Sequence, residues 1–363
     1  MTRRALFFAH HSSRLRSVGL SIAAGVIAAM SFSLAGCTPE AGESTGPSGT
    51  SGGDTTPNRP TIALVMKDLG NEFFQTMADG ATAHQAENAD RYDLIVDGIQ
   101  NEQDLNRQVA IMSQLVARGV DAIVIAPADS RGLVPAVKKA IDAGIPVVNI
   151  DNQLDTEKLA AEGLEVPFVG PDNRAGAREV GAYLAGRLGP NAKVAILEGI
   201  PTAFNAVERR AGFEEAMEEA GIAVVDVQTA EWDTNKAGQI ATAMLNAHDD
   251  LDAILASNDS MAIGALSAVR SKGRDAGDDR VLVVGFDNIA AAAKAVDEGR
   301  LLATADQHAG ELAVFGIEAA LDRLDGKEVA DRQTPVDLIV KSGAADVEAS
   351  AAADGADGAD GVE

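Results

Sequence analysis

Nine short apolar runs recur along this chain, with helical patterns between them. The runs are TIALVM (61–66), YDLIVD (92–97), AIVIAP (122–127), PVVNID (146–151), PFVG (167–170), KVAILEG (193–199), AVVDVQTA (223–230), AILASND (253–259) and VLVVGFD (281–287). They are rich in β-branched residues and apolar on both faces, as strands covered by helices on both sides must be. The intervals include NEFFQTMADGATAHQAENA, EQDLNRQVAIMSQLVARG, AFNAVERRAGFEEAMEEAG and DSMAIGALSAVRSKG. Their apolar residues return every three or four positions, and several stop at a glycine: Gly119, Gly144, Gly221 and Gly273. Repeated strand–helix units with right-handed crossovers leave little besides an α/β fold with parallel sheets. Two successive sets, before and after about Gly170, predict two similar doubly wound lobes. In open parallel sheets ligands bind beyond the carboxyl ends of the strands, so the residues that follow each run carry the functional information.

The rest of the chain narrows the function classes. The 363 residues suffice for about two domains. With 30 Lys plus Arg against 55 Asp plus Glu, the formal charge is -25, which repels phosphate backbones and argues against a nucleic-acid partner. The single cysteine excludes an internal disulfide and a cysteine-cluster metal site, and His10, His11, His84, His248 and His308 are too scattered for a histidine-based one. No glycine-rich dinucleotide or P-loop pattern and no nucleophile elbow occurs, so no cofactor and no enzymatic activity are expected. Arg3, Arg4, Arg14 and Arg16 precede an apolar stretch from Val18 to Phe32, the two regions of an export signal. It ends in Leu34-Ala35-Gly36-Cys37, which resembles the bacterial lipobox. That resemblance implies a signal peptide over 1–36 and lipidation of Cys37. The mature protein is then held to the bilayer on the extracytoplasmic face of the cell membrane. Residues 38–60, rich in Gly, Ser, Thr and Pro, read as a flexible linker after the acylated Cys37, and 343–363 as a disordered acidic tail.

The strand ends are polar and aromatic together. Lys67, Asn71, Phe73 and Phe74 follow the first run, and Asp151 and Asn152 the fourth. Asn205 and Arg209 lie beyond the sixth, Trp232 beyond the seventh, Asn258 at the end of the eighth and Asp287 at the end of the ninth; Gln307 closes ATADQ (303–307). Aromatics are only 4% of the chain, so the one Trp and a Phe pair at strand ends are informative. A sugar needs this mixture. Its hydroxyls donate and accept, which Asp, Asn, Gln and Lys match, and its C–H faces pack flat on rings. Simpler readings stand beside it. Asn71, Asp151, Asn258 and Asp287 also suit helix N-caps, Trp232 a packed surface ring, and Arg209 an ion pair with Glu208 or Glu214 on its own helix. Asp129 and Asp259 read as caps and Met261 as core.

Over about residues 61–341 the sequence resembles the periplasmic sugar-binding proteins of ABC transporters, of the ribose-binding type, which share their fold with the LacI repressor core. The resemblance is carried by LGNEFF, IAPADS, IPVVNID, NAVERRAGFEEAM, ASNDSMAIGAL, VVGFDN and ATADQ. It implies a monomer with lobes of 61–169 plus 308–337 and of 170–307 plus 338–342. The three hinge passages would lie near Val169-Gly170, Gln307-His308 and Asp337-Leu338. It implies capture of a monosaccharide or polyol and delivery to an ABC permease. Asn71, Phe73 and Phe74 match first-loop contacts, and Asp151 the carboxylate that grips adjacent hydroxyls. Trp232 matches an aromatic on the opposite wall, and Asn258, Asp287 and Gln307 match hydroxyl binders. Lys67 matches a position used by hexose-binding relatives. Two departures stand out. Asn152 and Val207 occupy positions where the ribose type has arginine, while Arg209 matches a second arginine of the family. The loss of two guanidiniums leaves a hexose, a deoxy sugar or a polyol open beside ribose. A sugar-sensing receptor partner, or a binder of a nucleoside or signalling molecule, would use the same fold. A LacI-type regulator would need a helix-turn-helix where residues 1–60 hold a signal and linker.

Overall fold

The computed structural model describes residues 59–277 and 279–342. The expected signal peptide, Cys37, most of the linker and the acidic tail lie outside them. Five strands open the described chain: β1 (Thr61–Met66), β2 (Asp93–Gly98), β3 (Ala122–Ile125), β4 (Val147–Ile150) and β5 (Phe168–Pro171). Between and after them run α1 (Glu72–Glu87), α2 (Leu105–Arg118), α3 (Val134–Asp142), α4 (Thr156–Ala161) and α5 (Asn173–Ala185). The pattern then repeats with β6 (Lys193–Glu198), β7 (Ala223–Thr229), β8 (Ala253–Ala256), β9 (Leu282–Val284) and β10 (Ala303–Asp306). Its helices are α6 (Phe204–Ala220), α7 (Thr234–Ala247), α8 (Asp259–Ser271), α9 (Ala290–Asp297) and α10 (Ala309–Leu324). Two short strands, β11 (Arg332–Thr334) and β12 (Asp337–Val340), finish the fold.

The strands form two six-stranded sheets, in the orders β11-β5-β4-β3-β1-β2 and β12-β10-β9-β8-β6-β7. Pairing is parallel except between β10 and β12, which run antiparallel. The central strands β3, β4 and β8 are buried along their whole length, as their unbroken apolar runs require. The strands absent from the sequence reading are β10, β11 and β12. ATAD and RQT carry too little apolar surface to announce a strand, and β12 is an edge.

The chain passes between the lobes three times. It leaves the first sheet after β5, two residues beyond the expected Val169-Gly170, because that strand pairs as far as Pro171. It returns after β10, so that α10 packs against α1 and the first sheet. A Cβ at Gly316 would fall 2.6 Å from Ile150 Cγ2, and one at Gly80 would fall 2.5 Å from Gly310 Cα, so glycine sets this close approach. The third passage lies at residues 335–336, ahead of the expected 337–338, since all of Asp337–Val340 pairs in the second sheet.

Candidate functional site

The carboxyl ends of both sheets face one cavity. The first lobe supplies Lys67, Asn71, Phe73, Phe74, Glu102 and Asp151, and the second Asn205, Arg209, Trp232, Asn258 and Asp287. The side chains stand close together, and the cavity left among them is about 10 Å³, room for about one water. Three of these side chains stand on left-handed backbone, with φ of 63° at Asp151, 67° at Trp232 and 120° at Asp287. For residues with a Cβ this conformation costs on the order of 1–3 kcal/mol, and such strain gathers where side-chain direction matters. Here it follows strand ends and turns the side chains across the mouth of each sheet. Asn71 and Asn258 do two jobs. Each side-chain oxygen caps a helix, accepting from Phe73 N (3.0 Å) and Met261 N (2.9 Å), and each residue also lines the cavity.

The cavity is a slot with aromatic walls and two charged edges. At one edge Lys67 Nζ lies 5.6 Å from the Phe74 ring centroid and 5.5 Å from that of Trp232. At that edge Lys67 Nζ sits 3.3 Å from both Glu102 Oε2 and Asp151 Oδ2. Burial alone would push the ammonium down, but Asp151 and Glu102 outweigh it and its pKa ends above the ordinary value. Burial pushes the Glu102 carboxyl up to about 7 against the pull of Lys67. At the other edge Arg209 Nη1 meets Asp287 Oδ1 at 3.1 Å and donates to Ser257 O at 2.9 Å, while its Nε donates to Asn173 Oδ1 at 2.8 Å. The guanidinium lies 3.9 Å from the Phe286 ring centroid and 5.7 Å from that of Trp232. Burial pushes Asp287 up to about 7, with Arg209 pulling against it.

Several buried polar atoms around the slot lack a hydrogen-bond partner. They are Glu102 Oε2, Asp151 Oδ2, Asn205 Oδ1, Trp232 Nε1, Ser257 Oγ and Gln307 Oε1. The two carboxylate oxygens nevertheless meet the Lys67 ammonium at 3.3 Å as ion pairs. Buried polar groups are normally satisfied, and Asn205 and Trp232 carry their exceptions on the cavity lining, with Ser257 and Gln307 behind it.

The structure parts from the sequence reading at several residues. Asn152 does not line the cavity. Its Nδ2 donates to Pro127 O (2.8 Å) and its Oδ1 accepts from Asn205 N (3.1 Å), so it clamps one lobe to the other. Gln307 stands behind the lining and donates from Nε2 to Asp287 Oδ1 at 2.6 Å. Arg209 pairs with Asp287 and not with Glu208 or Glu214. Glu208 is held by Arg174 and Glu214 by Arg210. Asp259 is not the cap; Asn258 is, and the Asp259 carboxylate accepts from Thr304 Oγ1 (2.7 Å) and Ile289 N (3.0 Å), tying α8 to the loop that carries Asp287. Val207 is 49% exposed and does not line the slot. Glu102 was missed. It lies just past the end of β2, a strand end that the carboxyl-end rule covers and that the reading passed over. Asn173 and Ser257, which hold Arg209, carried no sequence signal.

The profile of a periplasmic binding protein domain matches residues 62–328. A D-ribose/D-allose-binding protein of Pseudomonas aeruginosa is 55% identical over 289 residues, covering 78% of this chain and 90% of that protein. The ribose import binding protein of Escherichia coli is 37% identical over 282 residues, covering 77% and 90%. Among solved structures, an ABC transporter solute-binding protein of Burkholderia multivorans superposes with a TM-score of 0.75 at 52% identity, covering 78% of this chain and 99% of that one. One from Actinobacillus succinogenes with bound D-allose superposes with a TM-score of 0.74 at 36% identity, covering 78% and 98%.

Proposed function

This chain belongs to the periplasmic binding protein family, in its two-lobed type I form, and on that premise we propose that it captures a monosaccharide or polyol between its lobes for an ABC importer. The observation that carries the reading is the slot itself: buried, unpartnered acceptors and a donor between aromatic walls. Sugar hydroxyls satisfy both kinds of group, and the ring faces lie against Phe73, Phe74 and Trp232. The two relatives described above are named for ribose or allose.

Capture and delivery follow from one geometry. The first lobe's contacts and the second lobe's contacts meet a single ligand only when the lobes close. A solute that touches both therefore shifts the population toward the closed form. The closed pair of lobes is the shape that an importer distinguishes from the open one. No group among the lining residues needs to exchange a bond with the ligand, in keeping with binding without turnover. The extracytoplasmic site, the lipid anchor at Cys37 and the monomeric state complete the proposal, and the lipobox-like Leu34-Ala35-Gly36-Cys37 supports the anchor. Cys37→Ser should abolish incorporation of labelled palmitate; unchanged labelling would reject the anchor.

The direct test is a thermal-shift screen of the purified protein with pentoses, hexoses, deoxy sugars and polyols, and with nucleosides as a contrast class. A ligand that binds the folded form raises its melting temperature. A rise with one sugar or polyol is expected. A rise with nucleosides alone would keep the fold and discard the sugar.

A further inference from the structure

Resting on solute capture between the lobes, we propose that closure completes two helices of the second lobe, α6 and α9, which lack N-caps of their own and receive them from the first lobe. Ser130, Asn152 and Glu72, none of which lines the slot, are then positioning residues that set affinity. The second lobe caps its other helices itself. Asp172, Asp233 and Asn258 precede α5, α7 and α8, and a side-chain oxygen of each accepts from the N–H three residues on. At α6 and α9 the cap positions hold Ala203 and Ile289, whose side chains can accept nothing. Their backbones are nevertheless extended as a cap requires, with φ −92° and ψ 129° at Ala203 and φ −65° and ψ 154° at Ile289.

The missing acceptors come from across the cleft. Ser130 Oγ accepts from Phe204 N, the first N–H of α6, at 3.0 Å, and Asn152 Oδ1 accepts from Asn205 N, the second, at 3.1 Å. Glu72 Oε1 accepts from Ala290 N, the first N–H of α9, at 2.9 Å. The two caps of α6 are held ready within the first lobe. Asn152 Nδ2 donates to Pro127 O at 2.8 Å, and the Ser130 hydroxyl donates to Asn152 Oδ1 at 3.4 Å, so both oxygens offer lone pairs to α6. A helix N-terminus carries orphan N–H groups and the positive end of the helix dipole. In α6 and α9 only closure meets them with protein acceptors. α6 also bears Asn205 and Arg209, so the caps that draw in its N-terminus seat two lining side chains.

A second lobe that capped α6 by itself would gain less from closing. Ala203→Ser supplies such a cap on backbone that already has the cap conformation. Measured by calorimetry on the full-length protein with D-ribose and D-allose as probes, Ala203→Ser should weaken both about fivefold, the worth of one cap. The ranking of the two sugars should stay, because no lining residue changes, and the ligand-free melting temperature should not fall. Ser130→Ala, which adds no bulk beside the buried Ala203, removes the cap from the other side and should weaken both sugars by a similar factor. The losses should not multiply: added to Ala203→Ser, Ser130→Ala should cost less than about twofold, since α6 then holds its own cap. Amide exchange followed by NMR reads the caps directly. Saturating D-ribose should slow exchange about tenfold or more at Phe204, Asn205 and Ala290, while Ala175 and Lys236, capped within the second lobe, change less than about threefold. Full affinity in Ala203→Ser, losses that multiply in the double variant, or exchange at Phe204 and Asn205 that bound sugar leaves unchanged would each overturn capping between the lobes. In those cases the unmodified protein still binds sugar. An unmodified protein that bound neither probe nor any other sugar would instead sink the capture reading, and this proposal with it.

Discussion

Glu102, Asp259 and Asp287 are carboxyls whose pKa burial raises to about 7, from ordinary values of 4.5, 3.8 and 3.8. The folded protein holds protons on these groups that the unfolded chain has given up, so their contribution to stability is complete below the unfolded values and is lost as pH rises through about 7. The ligand-free protein is therefore expected to melt at a lower temperature at pH 8 than at pH 5.5, measured by scanning calorimetry. A sugar reverses the sense for the two that face it. Its hydroxyls donate to the ionised form, lower the pKa of Glu102 and Asp287, and release protons on binding. Affinity should rise from pH 6 to pH 8, and titration heats should depend on the ionisation enthalpy of the buffer; heats identical in two buffers would sink this account. Asp287 also answers Arg209. Asp287→Asn removes the charged acceptor but keeps its shape, and should weaken sugar binding by about tenfold to a hundredfold. Asp287→Ala strands a buried guanidinium and should in addition lower the melting temperature.

The turns at the strand ends decide where the rings stand. Trp232 lies flat on Gly199, the residue after β6; a Cβ there would fall 2.0 Å from Trp232 Cζ2. Gly199→Ala should push the indole into the slot and weaken sugar binding about tenfold with the fold intact, whereas Gly189→Ala, which meets nothing within 4 Å, should change neither. Affinity retained in Gly199→Ala would remove Trp232 from the ligand wall. These elements also explain what the sequence disclosed. The apolar runs of β1, β4, β8 and β9 are largely buried, so the polar residues after them stood out as lining candidates, while Trp232 after the exposed edge strand β7 stood out as the one Trp of the chain. The end of β2 did not. Its edge strand is only half buried, and Glu102 sits in NEQD, which looks like the polar start of α2. Asn152 and Gln307 misled for another reason. Their residue types suit hydroxyl recognition equally with internal clamping. Only the positions of Pro127 O, Asn205 N and Asp287 Oδ1, set by three separate elements, decide between the two. The left-handed turns at Asp151, Trp232 and Asp287 carry no glycine to announce them.

At the scale of the whole molecule the lobes are joined by three passages and clasped across the slot. His308, itself on left-handed backbone at φ 54°, lies with Nε2 2.8 Å from Asp337 Oδ2 and so ties the second passage to the third. Across the slot, Ser130 Oγ accepts from Phe204 N at 3.0 Å, Asn152 Oδ1 accepts from Asn205 N at 3.1 Å, and Glu72 Oε1 accepts from Ala290 N at 2.9 Å. These bonds exist only with the lobes together, so they and the ligand stabilise the same state, and weakening one must weaken apparent affinity even where no ligand contact changes. Glu72 offers a clean case. It does not line the slot, and its carboxylate meets the first N–H of α9, where a helix terminus favours negative charge. Glu72→Ala should cost the closed form about 1 kcal/mol, which is roughly a fivefold loss of affinity. The ranking among sugars should stay as it was, because the slot is unaltered. Small-angle scattering supplies the structural half of the test. The radius of gyration should fall when sugar is added to the unmodified protein, and Glu72→Ala should need a higher sugar concentration to reach the same final value. A radius that does not move with saturating sugar would mean that the lobes do not close on the ligand, and the coupling between capture and delivery would then need another basis.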